Sequence, residues 1–332
     1  MFRKFLVLSC TLMVFMVTPH AQGLFPRSTL PMRVIFDTDF GPDYDDVGAL
    51  TILHCFADSG YVRILATMAS SKHKNAAAAI NVFNTYFNRP EIPIGVVSGV
   101  AVELGDYQHW TDSVIRRYPH RIKNNQDALD ALGLYRKLLS EQPDHSVTII
   151  TVGFLTNLAN LLESPEDHFS SLNGHELVSL KVANLVCMAG RFPSGKEFNL
   201  AQDAKSSGKV LADWPTPILF SGFEIGQKIK TGIPLIHDDQ IRESPVKDVF
   251  ALCIPMAIED SAGRMSWDET AVFVAVKGWQ NYYDLKTGKC TIHLDGVNEW
   301  ADGETSEAHL VEKMPPDQMS TIINHLIMHQ PK

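Results

Sequence analysis

Residues 33–50 read RVIFDTDFGPDYDDVGAL, and five of the ten positions from Asp37 to Asp46 are aspartate. Val34, Ile35 and Phe36 form a continuous apolar run of the kind that fills a buried parallel strand. From Asp45 onward DDVGALTILHCF returns to helical spacing, with acids in the first turn, where they face the positive end of the helix dipole. The stretch is therefore strand, acidic loop, helix. Carboxylates crowded this closely raise one another's pKa, and they stay ionised only if positive charge is brought among them. Oxygen donors alone, on a loop shaped by Gly41 and Pro42, suit calcium or magnesium better than zinc. Asp37 taken alone also reads, with less weight, as a strand-end acceptor, and Asp45 alone as a helix cap.

Outward from this loop, strands and helices alternate. Residues 62–68 (VRILATM), 94–97, 147–152 (VTIITV), 185–188 and 218–220 read as strands. Residues 75–87, 127–141, 155–162, 266–277 and 319–329 read as helices. Nearly all-apolar strands between helices predict an α/β fold with a mainly parallel central sheet, helices on both faces and a Rossmann-like core. In such sheets ligands bind beyond the carboxyl ends of the strands. Gly153, Gly190 and Gly222 all follow strands, so their loops gather on the edge that carries the aspartates. Residues 107–120 hold Tyr107, His109, Trp110 and Tyr118 and read as a loop or lid. Residues 282–294 read as a hairpin turning at Gly288.

The 332 residues carry no linker, repeat or low-complexity segment. Arg3 and Lys4 precede an apolar run over residues 5–17, with Ala21 as a small residue before Gln22. This pattern predicts a signal peptide over residues 1–21, export to the periplasm or medium, and one α/β domain over 22–332. The apolar run is short for a membrane span, and no later stretch is longer. Loss of Arg3 and Lys4 takes the formal charge from −9 to −11. An acidic chain without a basic patch is a poor nucleic-acid binder. Cys55, Cys187, Cys253 and Cys290 stand singly in apolar contexts and read as buried free thiols.

Taken in order, these residues resemble the calcium-dependent nucleoside hydrolases of the inosine-uridine type. That family's D-T-D-P-G-x-D-D stretch is matched by residues 37–46, and its strand-Gly-x-Leu-Thr-Asn element by residues 147–157. Its Glu-Phe-Asn segment is matched by Glu197, Phe198 and Asn199, and Asp268 opens the helix that carries the last acidic ligand. The resemblance implies hydrolysis of the N-glycosidic bond of a ribonucleoside or related riboside. It implies Ca²⁺ held by Asp39, Asp46, Asp268 and the backbone carbonyl of Val152. Asp45 would take the proton of the attacking water, Asn199 and Glu197 would bind the ribose, and Asp43, Ser71 and Trp267 are further substrate candidates. The implied partner is a small riboside, and homo-oligomer formation is left open.

Four differences from the family pattern stand out. The loop through Phe40, Gly41, Pro42, Asp43 and Tyr44 is two residues longer, so Asp43 competes with Asp45 for the role of base. Ser71 replaces an asparagine. Trp267 stands where some members place a histidine that protonates the leaving purine. Glu224 enters after the strand at 218–220. With Trp267 unable to shuttle a proton, His109, Tyr118 and Tyr282 are the candidate acids. Two rivals remain at this stage. One is a haloacid dehalogenase-type phosphohydrolase, suggested by Asp37 and Asp39 at a strand end. The other is an exported calcium-dependent riboside- or glycan-binding protein without turnover.

Overall fold

The computed structural model describes residue 25 and residues 31–332. The expected signal peptide lies outside the described residues. Among the described residues, eleven strands form one sheet in the order β4-β3-β2-β1-β5-β6-β8-β13-β11-β12-β7. They are β1 (Met32–Thr38), β2 (Val62–Ala69), β3 (Ile94–Val96), β4 (Leu129–Asp130), β5 (Val147–Thr151), β6 (Val182–Met188), β7 (Ser194–Lys196), β8 (Ile218–Ser221), β11 (Tyr283–Ile292), β12 (Val297–Asp302) and β13 (Glu307–Glu312). Short strands β9 (Lys230–Thr231) and β10 (Arg264–Met265) pair separately.

From β4 to β13 every neighbour is parallel. Strand β1 lies between β2 and β5, so the chain builds the sheet first to one side of β1 and then to the other. The acidic loop leaves β1 at this reversal, which is where an open α/β sheet has its crevice.

Alternate residues of β1 serve opposite faces. Val34 and Phe36 join the core beneath the helices Asp45–Asp58, Ala76–Tyr86, Trp267–Lys277 and Pro316–Ile327. Ile35 joins the core beneath Ala131–Ser140, Thr156–Glu163, Gly174–Lys181 and Ala204–Asp213. A strand buried on both faces has no polar alternation, which explains the unbroken apolar run in the sequence.

Two local expectations are corrected. The hairpin does not turn at Gly288. Strand β11 runs through it, pairing Gly288 with Asp302 and Glu307, and the chain reverses only beyond Ile292. Thr287-Gly288-Lys289 looked like a turn, but ladders on both sides hold it extended. The 107–120 segment is not an open lid, because Trp110–Arg117 is a helix with Trp110, Thr111 and Val114 buried. Trp110 packs edge-on against Phe40 at 5.1 Å. Cys55, Cys187, Cys253 and Cys290 are free, the last three buried. Among the described residues no helix is long and apolar enough to cross a membrane.

Candidate active site

Asp37, the first aspartate, lies inside β1 and faces away from the pocket. Its Oδ2 accepts bonds from the Tyr135 hydroxyl at 2.8 Å and from Asn157 Nδ2 at 3.1 Å. Burial pushes its carboxyl up to about 7, against the pull of those two donors. Asp37 thus bolts β1 to the helices Ala131–Ser140 and Thr156–Glu163. Gly153, just past β5, permits the next approach: a Cβ there would meet the Asp39 backbone nitrogen at 2.3 Å. No side chain fits, so the end of β5 lies directly against the acidic loop.

Two helices start at the site. Asp45 and Asp46 occupy the first turn of Asp45–Asp58, and Asp268 and Glu269 the first turn of Trp267–Lys277. Both positive helix ends converge on the carboxylates and partly offset their repulsion. One oxygen from each of Asp43, Asp45 and Asp268 lies within 4.8 Å of the others. Asp46 sits behind them, one oxygen bonded by the Thr38 hydroxyl and Oδ2 buried with no partner. Asp39 lines the same cavity, as does Val152. Burial first, and then their neighbours' charge, holds the carboxyls of Asp39, Asp46 and Asp268 well above the usual range. Asp43 is pushed up to about 7 by burial and Asp45, with Arg264 acting against them.

These residues fit a hard cation. A buried carboxylate oxygen without a hydrogen-bond partner, beside donors that are all oxygen, is the chemistry a hard cation takes. The oxygens that come within 4.8 Å of one another are those of Asp43, Asp45 and Asp268; of the expected ligands, Asp39, Val152 and Asp268 line the same cavity.

The opposite wall carries the sugar-binding candidates. Asn199 Nδ2 donates to the Val152 carbonyl at 2.9 Å and to the Met188 carbonyl at 3.1 Å. Glu197 caps the short helix Phe198–Gln202: its carboxylate accepts from the backbone nitrogens of Asn199, Leu200 and Gly190 at 2.8, 3.0 and 3.1 Å. Phe198, 42% exposed, stands at the rim. The cavity is about 280 Å³.

Most of the residues singled out in the sequence therefore meet here. Ser71 does not line the cavity; it is fully buried, and its hydroxyl accepts the His73 backbone N–H. Trp267 lines the cavity, but its indole N–H is committed to the Phe223 carbonyl at 2.8 Å. The three candidate acids lie elsewhere. His109 borders a separate cleft with Asp112, Tyr118 bonds Asp248, and Tyr282 packs on Phe273. Glu224 accepts the Phe192 backbone N–H and is not a lining residue.

Arg264 was missed. It is 8% exposed and reaches Asp45 Oδ1 through Nη2 at 2.6 Å and Nε at 3.1 Å, and Asp43 Oδ2 through Nη2 at 2.8 Å. Burial works against its charge, and Asp45 and Asp43 outweigh burial. A lone arginine 219 positions from its partner leaves no spacing signal. The hint was indirect: five clustered aspartates need an internal cation, and Arg264 lies just upstream of Asp268. Phe223 and Glu259 also line the cavity without having been foreseen.

The family model described as inosine-uridine preferring nucleoside hydrolase matches residues 34–323. By sequence, no curated protein matches the chain. Among solved structures, a plant nucleoside hydrolase, PpNRh1, is 18% identical, with a TM-score of 0.68 over 90% of this chain and 99% of that one. A purine-preferring ribonucleoside hydrolase from Gardnerella vaginalis is 15% identical, with a TM-score of 0.69 over 89% and 99%. An inosine-uridine preferring nucleoside hydrolase from Bacillus anthracis is 15% identical, with a TM-score of 0.66 over 90% and 99%.

Proposed function

Because the chain belongs to the inosine-uridine preferring nucleoside hydrolase family and is by that membership an N-glycosyl hydrolase, we propose that it is an exported, calcium-activated enzyme that hydrolyses a ribonucleoside or related riboside. The observation that carries the metal half of this reading is the meeting of Asp43, Asp45 and Asp268 within 4.8 Å beside the unpartnered Asp46 Oδ2. Export rests on the charged and apolar pattern of residues 3–21.

When bound by Asp39, Asp46, Asp268 and the Val152 carbonyl, calcium would supply positive charge that orders sugar hydroxyls and makes a water easier to deprotonate. Asp45 is the proton acceptor. Arg264 holds its Oδ1, and its Oδ2 meets only the Asp268 backbone N–H at 3.4 Å, so Oδ2 is the oxygen left to receive a proton. Water oxygen bonds to the anomeric carbon as the carbon–nitrogen bond breaks, the base leaves with that electron pair, and the water's proton passes to Asp45. Asn199 spends Nδ2 on two carbonyls and presents Oδ1 to a ribose hydroxyl. A carboxylate offers about four lone-pair sites; Glu197 uses three on backbone N–H groups and keeps one for the sugar. Both hold the ring where positive charge develops.

A phosphohydrolase would need a lysine over the phosphate, and no lysine lines this cavity among the described residues. The deciding assay runs nucleosides and a phosphomonoester side by side. Reducing sugar from the nucleosides supports the proposal, and phosphate release alone contradicts it. Export is tested by the mass of the secreted protein, which should begin at Gln22.

A further inference from the structure

Two of the sequence differences meet at one guanidinium. The longer acidic loop supplies Asp43 and Tyr44, and the position of the missing histidine supplies Trp267. Arg264 contacts all three. Its guanidinium carbon lies 4.9 Å from the centre of the Tyr44 ring and 5.2 Å from that of Trp267. The stack continues on both sides. Trp267 rests on Phe223 at 5.2 Å, and Tyr44 meets Phe250 edge-on at 5.3 Å. The Tyr44 hydroxyl donates to Asp260 Oδ2 at 2.7 Å, and Arg264 Nη1 lies 3.8 Å from that oxygen. The guanidinium thus lies over two aromatic rings while its nitrogens reach Asp45, Asp43 and Asp260.

We propose that Arg264 is a positioning residue, a built-in cation that holds Asp43 and Asp45 in place before a divalent ion arrives and shares with that ion the task of offsetting the site's negative charge. The inference rests on the metal-site reading above. A planar fork packed over aromatic rings orients two carboxylates in a way that a mobile ammonium does not. Trp267 then has a physical role here as a ring against the guanidinium, its N–H anchored to the Phe223 carbonyl.

Removing one partner from a buried ion pair leaves the other charge uncompensated. Without Arg264 that burden falls on the bound cation. A merely structural arginine would, when lost, destabilise the metal-free and calcium-loaded proteins alike. A counter-cation would not.

The experiment is thermal denaturation of wild type, Arg264→Gln and Arg264→Lys, each with chelator and with saturating calcium, together with calorimetric titration of calcium alone. In Arg264→Gln the chelated protein should melt well below wild type, and its calcium-induced rise in Tm should exceed the wild-type rise. Arg264→Lys, with the charge but not the fork, should fall between. Folding of Arg264→Gln only when calcium is present supports the proposal. An equal calcium-induced rise in Arg264→Gln and wild type overturns it. If Arg264→Gln folds under neither condition, Arg264→Lys decides: a calcium-induced rise equal to that of wild type overturns the proposal, and a larger one supports it. If wild type itself neither binds calcium nor gains Tm, the metal-site reading has failed, and that result is separate from any comparison between variants.

Discussion

The indole N–H of Trp267 donates to the backbone carbonyl of Phe223 across 2.8 Å, and the two rings lie 5.2 Å apart. The only polar atom of the tryptophan is thereby spent on the protein. It cannot donate to a departing base, and an indole has no pKa near neutrality with which to shuttle a proton.

Turnover should consequently depend on the leaving group. A nitrophenyl riboside should be cleaved much faster than inosine, on the order of 100-fold, the size of one general-acid contribution. The pH profile should show no alkaline limb, because no protonated acid assists departure of the base. Equal rates on both substrates with a bell-shaped profile would reveal a general acid that this account lacks.

Asp39→Ala removes one proposed ligand from the end of β1. Calcium affinity and activity should fall together, by at least about 100-fold, since even groups that only support ligands cost 10- to 100-fold. Elemental analysis showing full calcium occupancy in the variant would remove Asp39 from the ligand set.

Glu197→Ala deletes an acceptor of three backbone N–H bonds at the start of Phe198–Gln202. The loss of such a cap costs about 1–2 kcal/mol and frees Asn199 from its place beside Val152. A lower Tm should accompany a raised KM, and Glu197→Gln should recover part of both. Unchanged KM in Glu197→Ala would separate this loop from the sugar.

Asp37 gives a pH test away from the pocket. Its folded pKa of about 7 stands above the ordinary aspartate value of 3.8, so the folded state binds the extra proton between those values. Its contribution to stability is complete below the unfolded pKa and is lost as pH rises through about 7, up to about 4 kcal/mol in all. Saturating calcium should quiet the aspartates of the acidic loop and isolate this effect. Under that condition Asp37→Asn should gain Tm relative to wild type between pH 5 and about pH 8. A difference that stays constant across this range would contradict the assignment.

The fold was legible because its signals are local. The apolar run of β1, the acids opening the next helix and the alternation that follows each lie within a short window. The edge of the sheet was less so. Gly288 carries turn chemistry, yet pairing with residues on β12 and β13 overrides it, and such pairing is set by segments distant in the sequence. In the site, the aspartates announced themselves by density, whereas Arg264 acts across 219 positions and Trp267 is informative only once its ring is seen against the guanidinium. The resemblance put Ser71 near the ribose, in the place of a family asparagine, but its hydroxyl accepts the His73 backbone N–H in the following loop.

Chelation followed by restoration of calcium decides whether cleavage of a riboside depends on the metal. Protein treated with chelator, then freed of it, should release no reducing sugar from nucleosides or nitrophenyl riboside, and added calcium should restore release. Sugar release that persists through chelation, or that stays absent after calcium is returned to folded protein, would rule out a calcium-activated riboside hydrolase.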